Sequence, residues 1–143
     1  MKRISKDAYY LCFTVPGKPQ GKGRPRFTRS GHTYTPYRTA EYEERVKLAY
    51  KQAGGGKLGG FISADILAVF TVPKSYTKAQ RAAALNASFA PKKPDCDNIA
   101  KIILDALNGL AYDDDAQIVK LRVEKRYGAT EHVLVVLEEG KEA

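Results

Sequence analysis

At 143 residues and 15.8 kDa, the chain has the length of one domain with one core, since domains run to roughly 100 to 200 residues. Hydrophobic residues at 43% and charged residues at 28% argue against a disordered or fibrous protein, and the longest strongly apolar run, Ile66 to Phe70, is far short of the roughly 18 residues of a membrane-crossing helix. A net charge of +8 suits a polyanion such as nucleic acid, because neutralised phosphates release condensed counterions; the competing reading is a surface charged for solubility.

The N-terminus is basic at Lys2, Arg3 and Lys6, but Asp7 and tyrosines follow without an apolar leader or small-residue cleavage site, which predicts an uncleaved, cytoplasmic protein. Residues 8–15, AYYLCFTV, are aromatic and β-rich and predict a first strand. Cys12 and Cys96, the two cysteines, are too far apart in sequence for a redox pair or zinc spacing, and the two histidines, His32 and His132, add no ligand cluster. From 16 to 38 the chain reads PGKPQGKGRPRFTRSGHTYTPYR, rich in Gly, Pro, Lys and Arg and free of acid; this predicts a basic loop.

Thr39 is placed to cap a helix over roughly 40–53, with Glu41, Glu43 and Glu44 early and Tyr42, Val46, Ala49 and Tyr50 as its apolar stripe. The glycines at 54–56 end it. Residues 61–72 put Ile62, Ala64, Ile66, Ala68, Phe70 and Val72 on one face and a mixed set on the other, which predicts a central strand largely covered on both sides. An Ala-rich helix over roughly 77–88 precedes the kinked stretch APKKP. Asp97 then caps a helix over roughly 98–108, where Ile99, Ile102, Ile103, Ala106 and Leu107 fall at i, i+3, i+4, i+7, i+8. Its polar face carries Lys101 and Asp105, whose spacing predicts an ion pair. Alternating runs at 117–127 and 132–138 predict a closing hairpin. The order is β-α-β-α-α-β-β.

Charge is divided unevenly along this order. Residues 1–94 hold 18 basic and 5 acidic side chains, residues 95–115 hold 1 and 6, and residues 116–143 hold 5 and 5. Six carboxylates within 21 residues repel one another and DNA, and a divalent cation is the simplest agent that makes them useful. In an extended approach Asp95 and Asp97 share a face, with Cys96 turned to the core. Lys101 follows Asp97 by one helical turn, where an ammonium can meet a phosphate held beside those carboxylates. The Asp113–Asp115 turn comes after a helix and loop of a length to return to the same edge. Few, hard oxygen ligands with phosphate supplied by substrate suit magnesium, with manganese as a substitute. Singly, each residue also reads as a cap, a solvated lysine or a polar turn; jointly, the caps and turn explain neither the adjacent Asp95 nor three successive acids. In the basic loop, cations interleave with Phe27, Tyr34 and Tyr37, a composition suited to backbone contact and base stacking. Lys22, Arg24, Arg26 and Arg29 are the expected DNA contacts, with Lys92 and Lys93 counted beside them.

The segments PGKPQGKGRPRFTRSGHTYTP, TAEYEE, DCDNIAKIILDALNG and YDDDAQIV resemble the RusA-type Holliday junction resolvases, small magnesium-dependent endonucleases of bacteria and their phages. The resemblance implies a single α+β domain with a mixed sheet of about four strands, a homodimer, and paired symmetric nicks across four-way DNA junctions. It makes Asp95 and Asp97 the paired metal-binding aspartates, Lys101 the catalytic lysine and Asp115 the third catalytic aspartate. Three acids in the turn leave Asp114 as a further ligand or a neighbour. Two alternatives stay open: a non-catalytic nucleic-acid-binding module, and a nuclease that prefers flaps, forks or duplex.

Overall fold

The computed structural model describes residues 2–5, 8–86 and 90–140. Lys6 and Asp7, and the last residues expected of the 77–88 helix, lie outside them. The chain runs β1 (Lys2–Ser5), β2 (Ala8–Pro16), β3 (Arg26–Phe27), β4 (Thr33–Tyr34), α1 (Tyr37–Gln52), β5 (Phe61–Thr71), α2 (Lys78–Leu85), α3 (Cys96–Leu107), a short 3-10 turn (Asp115–Gln117), β6 (Ile118–Gly128) and β7 (His132–Gly140). The expected order is present, with β1 and the small β3–β4 hairpin added to it.

One sheet organises this α+β domain, with strand order β1-β2-β7-β5-β6. It is mixed: β5 and β6 are parallel, and the other pairs are antiparallel. Alternation decides which side chains enter the core. Leu11, Phe13 and Val15 of β2, Ile62, Ala64, Ile66, Ala68 and Phe70 of β5, and Val133, Val135 and Leu137 of β7 are buried in one cluster with Tyr42, Val46 and Tyr50 of α1 and the apolar face of α3. On the other face of β5, Ser63 and Leu67 are half-buried, Asp65 is exposed and Val69 is buried. The second face is thus only partly covered.

The predicted closing hairpin does not form. β5 lies between β6 and β7 and pairs with both, so the connection at 129–131 passes the end of β5. Two strand spacings are about 9.6 Å, within the reach of three extended residues at about 3.3 Å each. Strand composition accounts for the arrangement. β5 is the more continuous apolar strand and takes an interior position, whereas Lys120, Arg122, Glu124 and Arg126 are exposed on the edge strand β6, where charge also blocks edge-to-edge pairing.

Two helix starts also differ from expectation. The N-cap of α1 is Pro36, and Thr39 lies inside the first turn, buried, with its hydroxyl accepting a hydrogen bond from the Gly23 amide at 3.1 Å. The N-cap of α3 is Asp95, with Asp97 in the first turn, where a carboxylate is favoured by the helix dipole. At α2, Thr77 and Gln80 form a reciprocal capping box.

Ile103 is fully buried on α3. Ile103→Ala should cost about 2–5 kcal/mol of unfolding free energy by lost transfer and cavity formation, read as a lower urea midpoint at unchanged slope.

Candidate functional site

Helix α3 carries the polar groups because its opposite face is fixed. Ile99, Ile102, Ile103, Ala106 and Leu107 have no exposed surface, so the helix cannot rotate without exposing aliphatic area worth roughly 1.5–3 kcal/mol per large side chain. Asp97 and Lys101 are consequently exposed and Asp105 half-buried. Asp95 adopts extended N-cap dihedrals, yet its side chain makes no capping hydrogen bond. Its carboxylate, that of Asp97 and the Lys101 ammonium have no hydrogen-bond or ion-pair partner among the described residues. Cys96 opens the helix and is half-buried, so the strand-like alternation expected around it, with its thiol in the core, is replaced by helical geometry.

The three acids of the following turn have three different environments. Asp113 meets Lys57 at 2.6 Å on the surface. Asp114 caps the 3-10 turn, accepting from the Ala116 amide at 3.0 Å, while Gln117 accepts from the Asp113 and Asp114 amides. The Gln117 amide group also donates to the carbonyls of Leu58 and Gly60, which ties the turn to the segment before β5. Asp115 is exposed and hydrogen-bonded to Asp114. The Ala116 amide, and then Asp115, hold Asp114 below the usual carboxylate range. Asp115 is pushed above it, first by the hydrogen bond to Asp114, then by desolvation and the charges of Asp114 and Asp105. Two carboxyls so placed share a proton or a cation.

Of the α3 carboxylates, Asp105 is the one whose charge raises the Asp115 pKa. Eight residues separate Asp97 from Asp105, about 12 Å along a helix axis. Asp95 and Asp97 thus stand at the start of α3 and Asp105 toward its end. Among the described residues no three His, Cys, Asp or Glu side chains are gathered to hold a metal ion. Magnesium takes one or two carboxylates and completes its shell with water and phosphate; by donor chemistry the open carboxylates of Asp95 and Asp97 fit that requirement.

The basic loop begins as a strap across α3 and α1. A side chain at Gly21 would place its Cβ 2.8 Å from Pro94 Cβ and 3.2 Å from Asn98 Cβ, so this close approach needs glycine. The Lys22 amide donates to the Asn98 carbonyl at 3.0 Å. Lys22 Nζ lies 2.9 Å from Glu43 and 3.2 Å from Asp105; burial lowers its pKa, but the hydrogen bonds and charges of the two carboxylates outweigh this and leave it raised. Asp105 therefore pairs with Lys22, not with Lys101 as the i, i+4 spacing suggested.

Beyond Gly23 the loop becomes the β3–β4 hairpin, closed by the Thr28 amide to His32 carbonyl bond at 2.8 Å. Phe27, Tyr34 and Tyr37 are 73%, 49% and 79% exposed, values that leave the rings available to a ligand. Arg24, Arg26 and Arg29 are exposed without ion-pair partners among the described residues. Lys93 lines a cleft with Lys18, Gln20 and Asn98 beside Asp95, and the Lys92 carbonyl accepts from Lys125. Sequence reasoning missed Glu43 and the cleft residues Lys18, Gln20 and Asn98. Glu43 carries no signal that separates it from Glu41 and Glu44, because its role depends on a strap distant in sequence.

The chain matches the family model described as endodeoxyribonuclease RusA over residues 16–138. It is also 36% identical over 136 residues to the uncharacterized protein YqaN of Bacillus subtilis (strain 168), an alignment that covers 90% of this chain and 96% of the relative.

The Asp114–Asp115 pair predicts a pH signature. Asp115 should titrate above, and Asp114 below, the ordinary carboxylate range, and Asp114→Asn should lower the Asp115 pKa because an amide can donate to its ionised form. Side-chain carboxyl NMR shifts followed against pH check this; an unmoved Asp115 would show that the pair does not interact.

Proposed function

With the chain belonging to the RusA endodeoxyribonuclease family, we propose that it is a magnesium-dependent resolvase that cuts four-way and related branched DNA by paired symmetric nicks. The observation that carries this reading is the start of α3, where Asp95, Asp97 and Lys101 stand exposed and without partners among the described residues, with Lys18 and Lys93 lining the cleft at Asp95. Exposed acids in a body that is otherwise basic repel the substrate the rest of the surface attracts, unless a cation joins them.

In this proposal Asp95 and Asp97 hold the cation, and Asp115, with Asp114 as its neighbour, supplies further carboxylate from the turn. When bound, magnesium supplies a Lewis acid that activates water and neutralises charge on the phosphate. Lys101, one turn along the helix from Asp97, places its ammonium against the charge that develops on the phosphate oxygens. Arg24, Arg26 and Arg29, with Lys92 and Lys93, hold the DNA backbone, and Phe27, Tyr34 and Tyr37 offer faces on which bases can stack. Two symmetric nicks need two such sites, which a homodimer of the chain provides. The proposed setting is recombination, repair or phage DNA processing.

A second reading, a nucleic-acid-binding module without catalysis, is favoured by one observation: among the described residues no three His, Cys, Asp or Glu side chains are gathered to hold a metal ion. One series of variants separates the two. Asp97→Asn should abolish cleavage while junction affinity holds or rises, since a repelling charge is removed, and Lys101→Ala should slow single-turnover cleavage by about 100- to 1,000-fold with a smaller loss of affinity. Charge reversal at Arg24 should flatten the dependence of log affinity on log salt by about one unit or more. Cleavage unchanged in Asp97→Asn sinks the catalytic assignment.

A further inference from the structure

Lys22 differs from every other cation of the basic loop. Its side chain is 19% exposed, and its ammonium is shared between Glu43 on α1 and Asp105 on α3, whose side chains are 16% and 34% exposed. The backbone is fastened on both sides of it: the Lys22 amide to the Asn98 carbonyl, and the Gly23 amide to the Thr39 hydroxyl. Arg24, Arg26 and Arg29, a few residues on, are exposed and without ion-pair partners among the described residues. A phosphate that drew Lys22 away would leave two half-buried carboxylates without their shared cation, at a cost that the exposed arginines do not incur.

We infer that Lys22 is a positioning residue: with Glu43 and Asp105 it clamps the root of the basic hairpin to α1 and α3, and it does not contact DNA. The clamp sets how far a phosphate held by Arg24 or Arg26 lies from the carboxylates of α3. Its effect on cutting rests on the nuclease reading above, whereas its effect on the strap does not.

The test compares Lys22→Met, which keeps the aliphatic stem, with Glu43→Gln, Lys22→Arg and Arg24→Met. Each is measured for the salt slope of four-way-junction binding in EDTA, the single-turnover cleavage rate at saturating junction in magnesium, and amide hydrogen exchange at Lys22 and Gly23. For Lys22→Met the expected result is an unchanged salt slope, a rate about 10- to 100-fold lower through misplacement of the reacting groups, and faster exchange at both amides. Glu43→Gln should move all three in the same direction, less far, and Lys22→Arg should restore rate and protection. Arg24→Met should instead reduce the slope by about one.

If Lys22→Met behaves as Arg24→Met does, with a smaller slope and a normal saturated rate, Lys22 is a phosphate contact and the clamp is refuted. Unchanged slope, rate and exchange refute it as well. Should Lys22→Met fail to fold, Glu43→Gln decides: loosening and slower cutting support the clamp, whereas tighter DNA binding with unaltered exchange overturns it. If the wild-type chain binds the junction without cutting it, the nuclease reading fails, and salt slope and exchange still decide the clamp.

Discussion

Burial of one face of α3 is the constraint on which the arrangement depends. Five side chains from Ile99 to Leu107 have no exposed surface, and they share a single cluster with the inward faces of β2, β5 and β7. With that face locked, helical geometry leaves little freedom to the other: Asp97, Lys101 and Asp105 recur every four residues and form an outward stripe. The core thus sets the chemistry without touching it. Since α3 also lies in the crossover between the parallel strands β5 and β6, any change in how it seats on the sheet moves the acid turn at its far end.

Charge is distributed by the same logic. Two of the ion pairs join segments distant in sequence: Lys22 with Glu43 and Asp105, and Lys57 with Asp113, whereas Arg45–Glu41 and Lys47–Glu44 lie within α1. These long-range pairs differ in weight, because the Lys57–Asp113 pair is exposed and solvent-screened, while the half-buried Lys22 cluster gains more from its partners. The cations of the β3–β4 hairpin have no such partners among the described residues, and neither do Asp95, Asp97 and Lys101. Some charges of this surface are thus paired within the protein, and others of both signs are left open to solvent.

The parts of this structure that were legible in the sequence are those with strong local periodicity. The α3 stripe and the alternation of β5 each fix a buried face from spacing alone, and the acid-rich stretch from 95 to 115 marks the region where the unpartnered carboxylates lie. The parts that were not legible depend on competition between distant segments. Adjacent alternating runs read as a hairpin, but β5 displaces that pairing because it is the better-buried neighbour for both. Thr39 has the chemistry of a cap, yet its hydroxyl serves Gly23, sixteen residues earlier. Strands of two residues, as in β3 and β4, are too short to carry a period. Asp105 has a lysine at helical spacing, but a second carboxylate, Glu43, makes the strap lysine the better partner. In each case the local rule holds and a nonlocal contact outweighs it.

The central claim is most directly tested by cleavage of an end-labelled four-way junction beside a linear duplex of matched sequence, in magnesium and in EDTA. The account predicts symmetric nicks in the junction, in magnesium alone, with the duplex left intact. A junction that is bound but uncut in both magnesium and manganese, or cut equally in EDTA, would contradict it.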